Sequence, residues 1–337
     1  MQTQSLAVLD NGAVALKATN RKSAKPTGYV LYEDVNIAII ATLSTDNAKT
    51  GDMVQIWIIP SDISPVEAVR TGKDDVVCFD CKHRGSIEIL PDGTVRVKNR
   101  TCYVTVWQAP RMIYDGYTRG IYPVLDPRDY RFIFGGRKIR FGAYGEPVLI
   151  PFEILTKIAF ESDGWTGYTH QWRHEEFQHY KRFLMASVDS EAEYHEAKKL
   201  GWRTFRVRTP DQAMLPREIS CPASAEAGYR STCSACKLCS GSVPGDGRRD
   251  IAIIVHGSSA KKFIQLSHSS LTTLRVSGDK KDMLTIYIYS NETGCQVAQH
   301  TAQDNAECEA WAEANYGDVD YHWSYADQPV SNAVLPA

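Results

Sequence analysis

No stretch of this chain is apolar for long enough to cross a bilayer; the best run, Val35–Leu43, is strand-sized. The first residues, MQTQSLAVLDNG, lack the basic region and long apolar core of a secretory signal. Charge of one sign is lacking too. The formal net charge of the 337 residues is −2, so no global field draws the protein to nucleic acid or an anionic membrane. Only a local basic patch is left for such a role. These absences give the expectation of a protein with no membrane partner, in a reducing cytoplasm. With 43% hydrophobic and 23% charged residues, the balance is that of a globular chain with room for roughly two or three domains.

What is plentiful is cysteine. There are nine: Cys78, Cys81, Cys102, Cys221, Cys233, Cys236, Cys239, Cys295 and Cys308. In a reducing compartment, clustered cysteines point to metal rather than to disulfides. The first cluster is VVCFDCKHRG, followed by a polar segment and then RTCYV. The intervening LPDGTV carries an Asp-Gly turn between alternating residues, the signal of a hairpin. That hairpin brings Cys102 back toward Cys78 and Cys81. Three thiolates with an open fourth position suit a [4Fe–4S] cluster, whereas three thiolates plus His83 suit a closed zinc site. Spacing leaves both open. In the second cluster, Cys221, Cys233, Cys236 and Cys239 stand among Ser, Ala, Gly and Lys, which burial in a core does not explain. Short CxxCxxC loops let successive thiolates wrap one cube and tilt this cluster toward iron–sulfur, with Cys₄ zinc as the competing reading. Cys295 and Cys308 stand apart and read as buried or incidental thiols.

Residues 1–73 read as a β-rich N-terminal subdomain, ending in a short helix with Ser64 as cap, Pro65 at its first position and Gly72 past its end. Residues 74–257 read as the next domain, and from Arg137 to Gly257 the chain alternates strand and helix patterns, the mark of a parallel sheet with crossover helices. Taking the segment near Val76–Cys78 as a first strand gives an α/β chain of about six βα units, a partial (β/α) barrel. Its centre is Lys138–Pro151, KIRFGAYGEPVLIP, read as strand, Gly-rich turn and helix. Gly142 and Gly145 free the backbone at the strand's carboxyl end, where α/β sheets bind ligands, and Glu146 puts a carboxylate at the mouth of the turn. Further on, MASVDS ends another strand, and Ser190-x-x-Glu193 reads as a capping box. Residues 258–327 read as a small α+β module, with LTTLRVSG, MLTIYIYS, CQVAQHT and YHWSY as strands and a helix capped by Asp304 or Asn305. Residues 328–337 read as a tail.

Three pieces resemble radical S-adenosylmethionine (SAM) enzymes, with divergent cysteine spacing. They are the cysteines ending in the Cys102-Tyr103 pair, the Gly145-Glu146-Pro147 turn and the Ser187-x-Asp189 strand end, in the family's order over roughly residues 74–257. The resemblance implies a cluster on Cys78, Cys81 and Cys102, with one iron left for SAM. It implies that Gly142, Gly145, Glu146, Ser187 and Asp189 contact the cosubstrate, Glu146 at its amino group. The second cysteine set resembles the auxiliary cluster domains that follow some of these barrels. The chain is also similar to uncharacterised proteins of phages and other mobile elements, which implies no activity and, for a phage-encoded chain, a place in the host cytoplasm.

No side chain is singled out as catalytic, and Trp165, Trp172 and Trp202 read as packing. A non-enzymatic reading stands beside the enzymatic one: both cysteine sets bind zinc and the protein binds nucleic acid or a protein partner. Lys82, Arg84, Arg100, Arg111, Arg203, Arg206 and Arg208 are its candidate phosphate contacts. A macromolecular substrate is open under either reading.

Overall fold

The computed structural model describes residues 25–276 throughout. Outside them it describes residues 4–8, 14–18, 284–290, 296–302, 311–312, 315 and 321–324. The chain divides into two compact units, Met1–Ile264 and Gln265–Ala337.

In the first unit, β1 (Gln4–Val8) and β2 (Val14–Ala18) form an antiparallel pair. Strands β3 (Gly28–Glu33), β4 (Ile37–Thr42) and β5 (Met53–Pro60) form an antiparallel meander. Asp34 shapes its first turn by accepting the N–H groups of Asn36 and Ile37. Every residue of IAIIAT in β4 is buried, as its unbroken apolar run requires of a strand covered on both faces. The exposed hairpin β6 (Ser86–Ile89) and β7 (Val95–Lys98) folds as the Asp-Gly turn predicts. The remaining strands are β8 (Lys138–Tyr144), β9 (Trp165–Thr169), β10 (Met185–Val188), β11 (Thr204–Arg208), β12 (Glu218–Ser220) and β13 (Asp250–Ile254).

One nine-stranded sheet results, in the order β12-β13-β11-β10-β9-β8-β5-β4-β3. From β5 to β12 every neighbouring pair is parallel. The fold is therefore mixed α/β around a large, mostly parallel sheet. The sheet is open, with β12 and β3 at its edges. Of the strands expected in an N-terminal subdomain, β3, β4 and β5 are part of this sheet, because β5 pairs in parallel with β8, while β1 and β2 form a two-stranded sheet of their own.

Val76–Cys78 is not the first strand. It lies in α2 (Asp75–Cys78), which follows α1 (Pro65–Thr71), itself capped by the Ser64 hydroxyl at Glu67 N–H. The N–H groups of Val77 and Cys78 return to the Asp74 carbonyl at 3.2 and 3.0 Å. Asp74 and Asp75 favour a helix start through its dipole, and the largely apolar β5 takes the strand position instead. The further helices of this unit are α3 (Ala109–Thr118), α4 (Tyr130–Phe134), α5 (Phe152–Glu161), α6 (Glu191–Lys199) and α7 (Cys233–Cys236). Ile139 and Phe141 of β8 point into the core with Leu155 and Ile158 of α5. Trp172 and Trp202 are buried there as packing. Ser190 caps α6 as its sequence predicts, accepting the Glu193 N–H.

Helix α8 (Ala260–Val276) spans the division between the units, so the start of LTTLRVSG is helical through Val276 rather than a strand. In the second unit, β14 (Leu284–Ser290) pairs antiparallel with β15 (Gln296–Ala302) and β16 (Tyr321–Ser324). Cys295, Cys308, the Asp304 or Asn305 cap and the tail 328–337 lie outside the described residues.

Candidate functional site

Side chains alternate across a strand, so every second residue of the parallel strands faces the side opposite Ile139 and Phe141. Arg140 and Gly142 of β8, Tyr168 of β9, Ser187 of β10, Val207 of β11 and Ile253 of β13 line one cavity of about 250 Å³. It lies toward the carboxyl ends of the strands, where α/β sheets take ligands. Cys78, Cys81, Cys102, Cys221 and Cys233 border the same cavity. None of the seven described cysteines forms a disulfide.

The first thiol set is built by the β6–β7 hairpin. After it, Thr101 and Cys102 both donate N–H groups to the His83 carbonyl, at 3.1 and 3.0 Å. On the other arm, Cys81 N–H bonds the Cys78 carbonyl at 3.1 Å. Buried Asp74 clamps the loop through Arg84 at 2.8 Å and Arg100 at 3.1 Å. Arg84 also donates to the carbonyls of Phe79 and Gly72. Burial raises the Cys78 thiol well above its ordinary pKa, reinforced by the negative charge of Cys102, Asp74 and Cys81. Burial also raises Cys102, against the opposing pull of Arg100.

Gly142, within β8, and Gly145, in the turn after it, adopt positive φ, 74° and 79°. Glu146 does not stand open at its mouth. It is buried, and its carboxylate already accepts the Thr169 hydroxyl at 2.7 Å, the His170 backbone N–H at 3.2 Å and His170 Nδ1–H at 2.8 Å. His170 reads from the sequence as a strand-end residue with no assigned role. It follows Thr169 directly at the end of β9, a ligand-binding position that its alternation with Thr166 and Tyr168 could have flagged. Burial alone would lower its pKa, but Cys81 and Glu146 hold it well above the ordinary histidine value. Ligand atoms of Cys81, Glu146 and His170 lie within 4.8 Å of one another, the only such group among the described residues.

Of the Ser-x-Asp pair, Ser187 faces the cavity and Asp189 does not. β10 ends at Val188, and Asp189 turns to His83 Nε2 at 2.8 Å and Lys82 Nζ at 2.9 Å. Burial would raise this carboxyl, yet His83 and Lys82 hold it below the ordinary range. His83 Nδ1 meets the Thr101 hydroxyl at 2.8 Å, so both its ring nitrogens are engaged. It forms a wall, stacked on Phe263 at 6.0 Å, rather than a fourth ligand.

The second set is stitched to three elements. Cys221 N–H extends the β12–β13 pairing to the Ala252 carbonyl, and Cys239 accepts from Gly167 of β9 at 3.0 Å. Cys233 opens α7 and donates to the Lys49 carbonyl at 3.0 Å, while Cys236 closes that turn. Burial raises Cys221 and Cys233 and pushes Cys239 up to about 12, although the Tyr168 hydroxyl pulls it down. A tetrahedral zinc with bonds of about 2.3 Å needs thiolates about 3.8 Å apart. No three sulfurs of either cysteine set lie within 4.8 Å of one another.

The basic side chains proposed for phosphate contact are all paired with other groups of the protein, Lys82 and Arg111 at exposed positions. Arg206 pairs with Glu218 at 2.6 Å, Arg208 pairs with Glu226, and Arg203 donates to the carbonyls of Leu238, Gly241 and Arg249. Arg84 and Arg100 share Asp74, and Lys82 bonds Asp189 and Glu193. Arg111 pairs with Asp115 at 3.7 Å on the surface. No helix among the described residues is long and apolar enough to cross a membrane. Compared with family models, curated proteins and solved structures, the chain matches none.

Proposed function

We propose that this chain is an iron–sulfur protein resembling radical SAM enzymes, acting on a substrate held in the cavity of its parallel sheet. The open sheet serves as the partial (β/α) barrel. One observation carries the reading: Cys78, Cys81 and Cys102 border the same cavity as Cys221 and Cys233 of the second set, far away in sequence, at the ligand-binding end of the strands. Cys78, Cys81 and Cys102 would hold a [4Fe–4S] cluster with one iron open, and Cys221, Cys233, Cys236 and Cys239 a second. A cluster held there would supply one-electron reduction of the sulfonium of SAM, with the electron drawn from an external reductant.

The chain's own residues orient and enclose. Gly142 removes a side chain from the cavity wall, and Ser187 offers a hydroxyl to a ligand. Glu146 acts through His170, which it holds in place against the Cys81 sulfur, rather than on the cosubstrate's amino group. His170 in its charged form offsets thiolate charge on the first set. Clustered free thiols fit a reducing cytoplasm.

Iron, acid-labile sulfide and zinc per chain, measured on anaerobically purified protein, test the reading. About eight irons with matching sulfide are expected for two cubes. A colourless zinc protein overturns it. Cleavage of SAM by the reduced, iron-loaded protein tests the enzymatic part.

The compact Cys81–Glu146–His170 group favours a second reading, a single zinc with its fourth position open to the cavity. One zinc per chain without sulfide supports it. Zinc in both cysteine sets supports instead the non-enzymatic partner-binding reading.

A further inference from the structure

The cavity holds two cations that the proposed function leaves unused. Arg140 stands midway along β8 and lines it. Its Nε is buried without a hydrogen-bond partner, and the guanidinium makes no ion pair with any described carboxylate. An unpaired guanidinium beside a cavity is costly unless something anionic enters. Lys49 lines the same cavity from the loop between β4 and β5. Its Nζ lies 3.0 Å from His256 Nε2. His256 Nδ1 must donate to the Ile254 carbonyl at 3.0 Å, because a carbonyl only accepts. In the neutral ring Nε2 is then an acceptor, so Lys49 donates one proton there and keeps two for a ligand. The one carboxylate bordering the cavity, Glu146, is committed to Thr169 and His170. Phe205, Val207, Ile253 and Val255 give the wall an apolar stretch, beside hydroxyl-bearing Thr166, Tyr168 and Ser187.

We propose that Arg140 and Lys49 form an oxyanion subsite, and that the cavity's ligand carries a carboxylate or phosphate on an apolar body seated against Phe205, Val207, Ile253 and Val255. A guanidinium fork matches either oxyanion with two parallel hydrogen bonds, and an ammonium adds a point charge. The inference rests on the proposed function only in taking the cavity as the ligand's place. It holds with either metal. The competing role for both cations is to offset thiolate charge on Cys221 and Cys233.

The test is calorimetric titration of the full chain with four probes: inorganic phosphate, phenyl phosphate, benzoate and benzyl alcohol. Phenyl phosphate or benzoate is expected to bind best, and which of the two does names the oxyanion. Benzyl alcohol should bind at least about tenfold more weakly, and Arg140→Gln should weaken the better anion about tenfold or more. Arg140→Lys, which keeps charge but not the fork, should fall between. Arg131→Gln, a surface charge loss, should bind as wild type. Metal and sulfide are assayed on the same samples. The proposal is overturned if no probe binds, if the alcohol binds as well as the anions, or if Arg140→Gln loses metal while keeping anion affinity. Failure of the iron–sulfur reading shows only in the metal assay, so the two are told apart.

Discussion

Replacing Gly145 with alanine probes the turn on which the candidate site is built. Gly145 holds φ at 79°, and a Cβ there would lie 2.6 Å from the Ile58 carbonyl oxygen and 2.7 Å from Ile58 Cβ. Ile58 is fully buried on β5, so the neighbour that must give way is core backbone. Two costs add. The left-handed backbone costs alanine about 1–2 kcal/mol. Forcing a methyl group into a packed core costs about 1–3 kcal/mol more. A loss of about 3 kcal/mol is therefore expected. Gly93 supplies the control, with φ at 81° and nothing within 4 Å of its added Cβ. Gly93→Ala should show the backbone cost alone, about 1–2 kcal/mol. Urea unfolding read by tryptophan fluorescence measures both, because Trp172 and Trp202 are buried in the first unit. Equal losses would refute the argument, since the close approach to β5 would then carry no energy. The Glu146 N–H to Val77 carbonyl bond, 2.7 Å long, ties this turn to the Cys78 loop. Gly145→Ala should accordingly lower metal content while Gly93→Ala does not.

Glu146→Gln turns an amide NH₂ toward His170 or Thr169 and should cost about 2 kcal/mol. It should also lower the His170 pKa, read by NMR titration, because a negative partner is gone. Asp189→Asn should cost about 2 kcal/mol at neutral pH, less than a fully buried pair because Lys82 is half exposed. The folded Asp189 pKa is depressed, so its stabilisation is present above the unfolded value near 3.8 and is lost as pH falls through the folded one. The stability gap between wild type and Asp189→Asn should close in acid; a gap constant down to pH 2 would rule the ion pair out as its cause. Arg206→Met strands the buried Glu218 carboxylate and should cost about 3–5 kcal/mol in urea unfolding. Cys78→Ser should remove about half the iron and Cys236→Ser the other half, if each set holds its own cube.

Much of the scaffold is written in local pattern. The alternation in KIRFGAYG, the Asp-Gly hairpin and the Ser190 cap are short-range signals, and each appears where its sequence places it. Val76–Cys78 misled because three or four apolar residues do not distinguish a strand from a helical turn; the two aspartates before them decide it. The arginines of β11 misled for another reason. In TFRVR the charged positions look solvated, yet Arg206 and Arg208 are the buried face, and Phe205 and Val207 line the cavity. Glu218 and Glu226, 12 and 18 residues downstream, make that inversion affordable in energy. The same distance in sequence hid the fate of Glu146, whose partners Thr169 and His170 follow 23 and 24 residues later. Lys49 was hidden by lying in a polar loop that reads as surface.

The thiols themselves link metal to folding. Burial raises Cys78, Cys102, Cys221, Cys233 and Cys239, so without metal each stays protonated at neutral pH. For an acid whose folded pKa is raised, stabilisation is present below the unfolded value near 9 and is lost as pH climbs through the folded one. Metal-free protein should therefore weaken above about pH 9, as each thiol ionises in a site that resists its charge. Metal reverses the sign. It binds thiolates, displaces the protons, and replaces a buried bare charge with a bond. Loaded protein should hold its stability through the same range and release protons as it loads, in a number that counts the ligands. For loading with zinc alone, proton release per chain near seven would mean that both cysteine sets bind through all their sulfurs; a count near two, one from Cys81 and one from charged His170, would leave only the Cys81–Glu146–His170 centre.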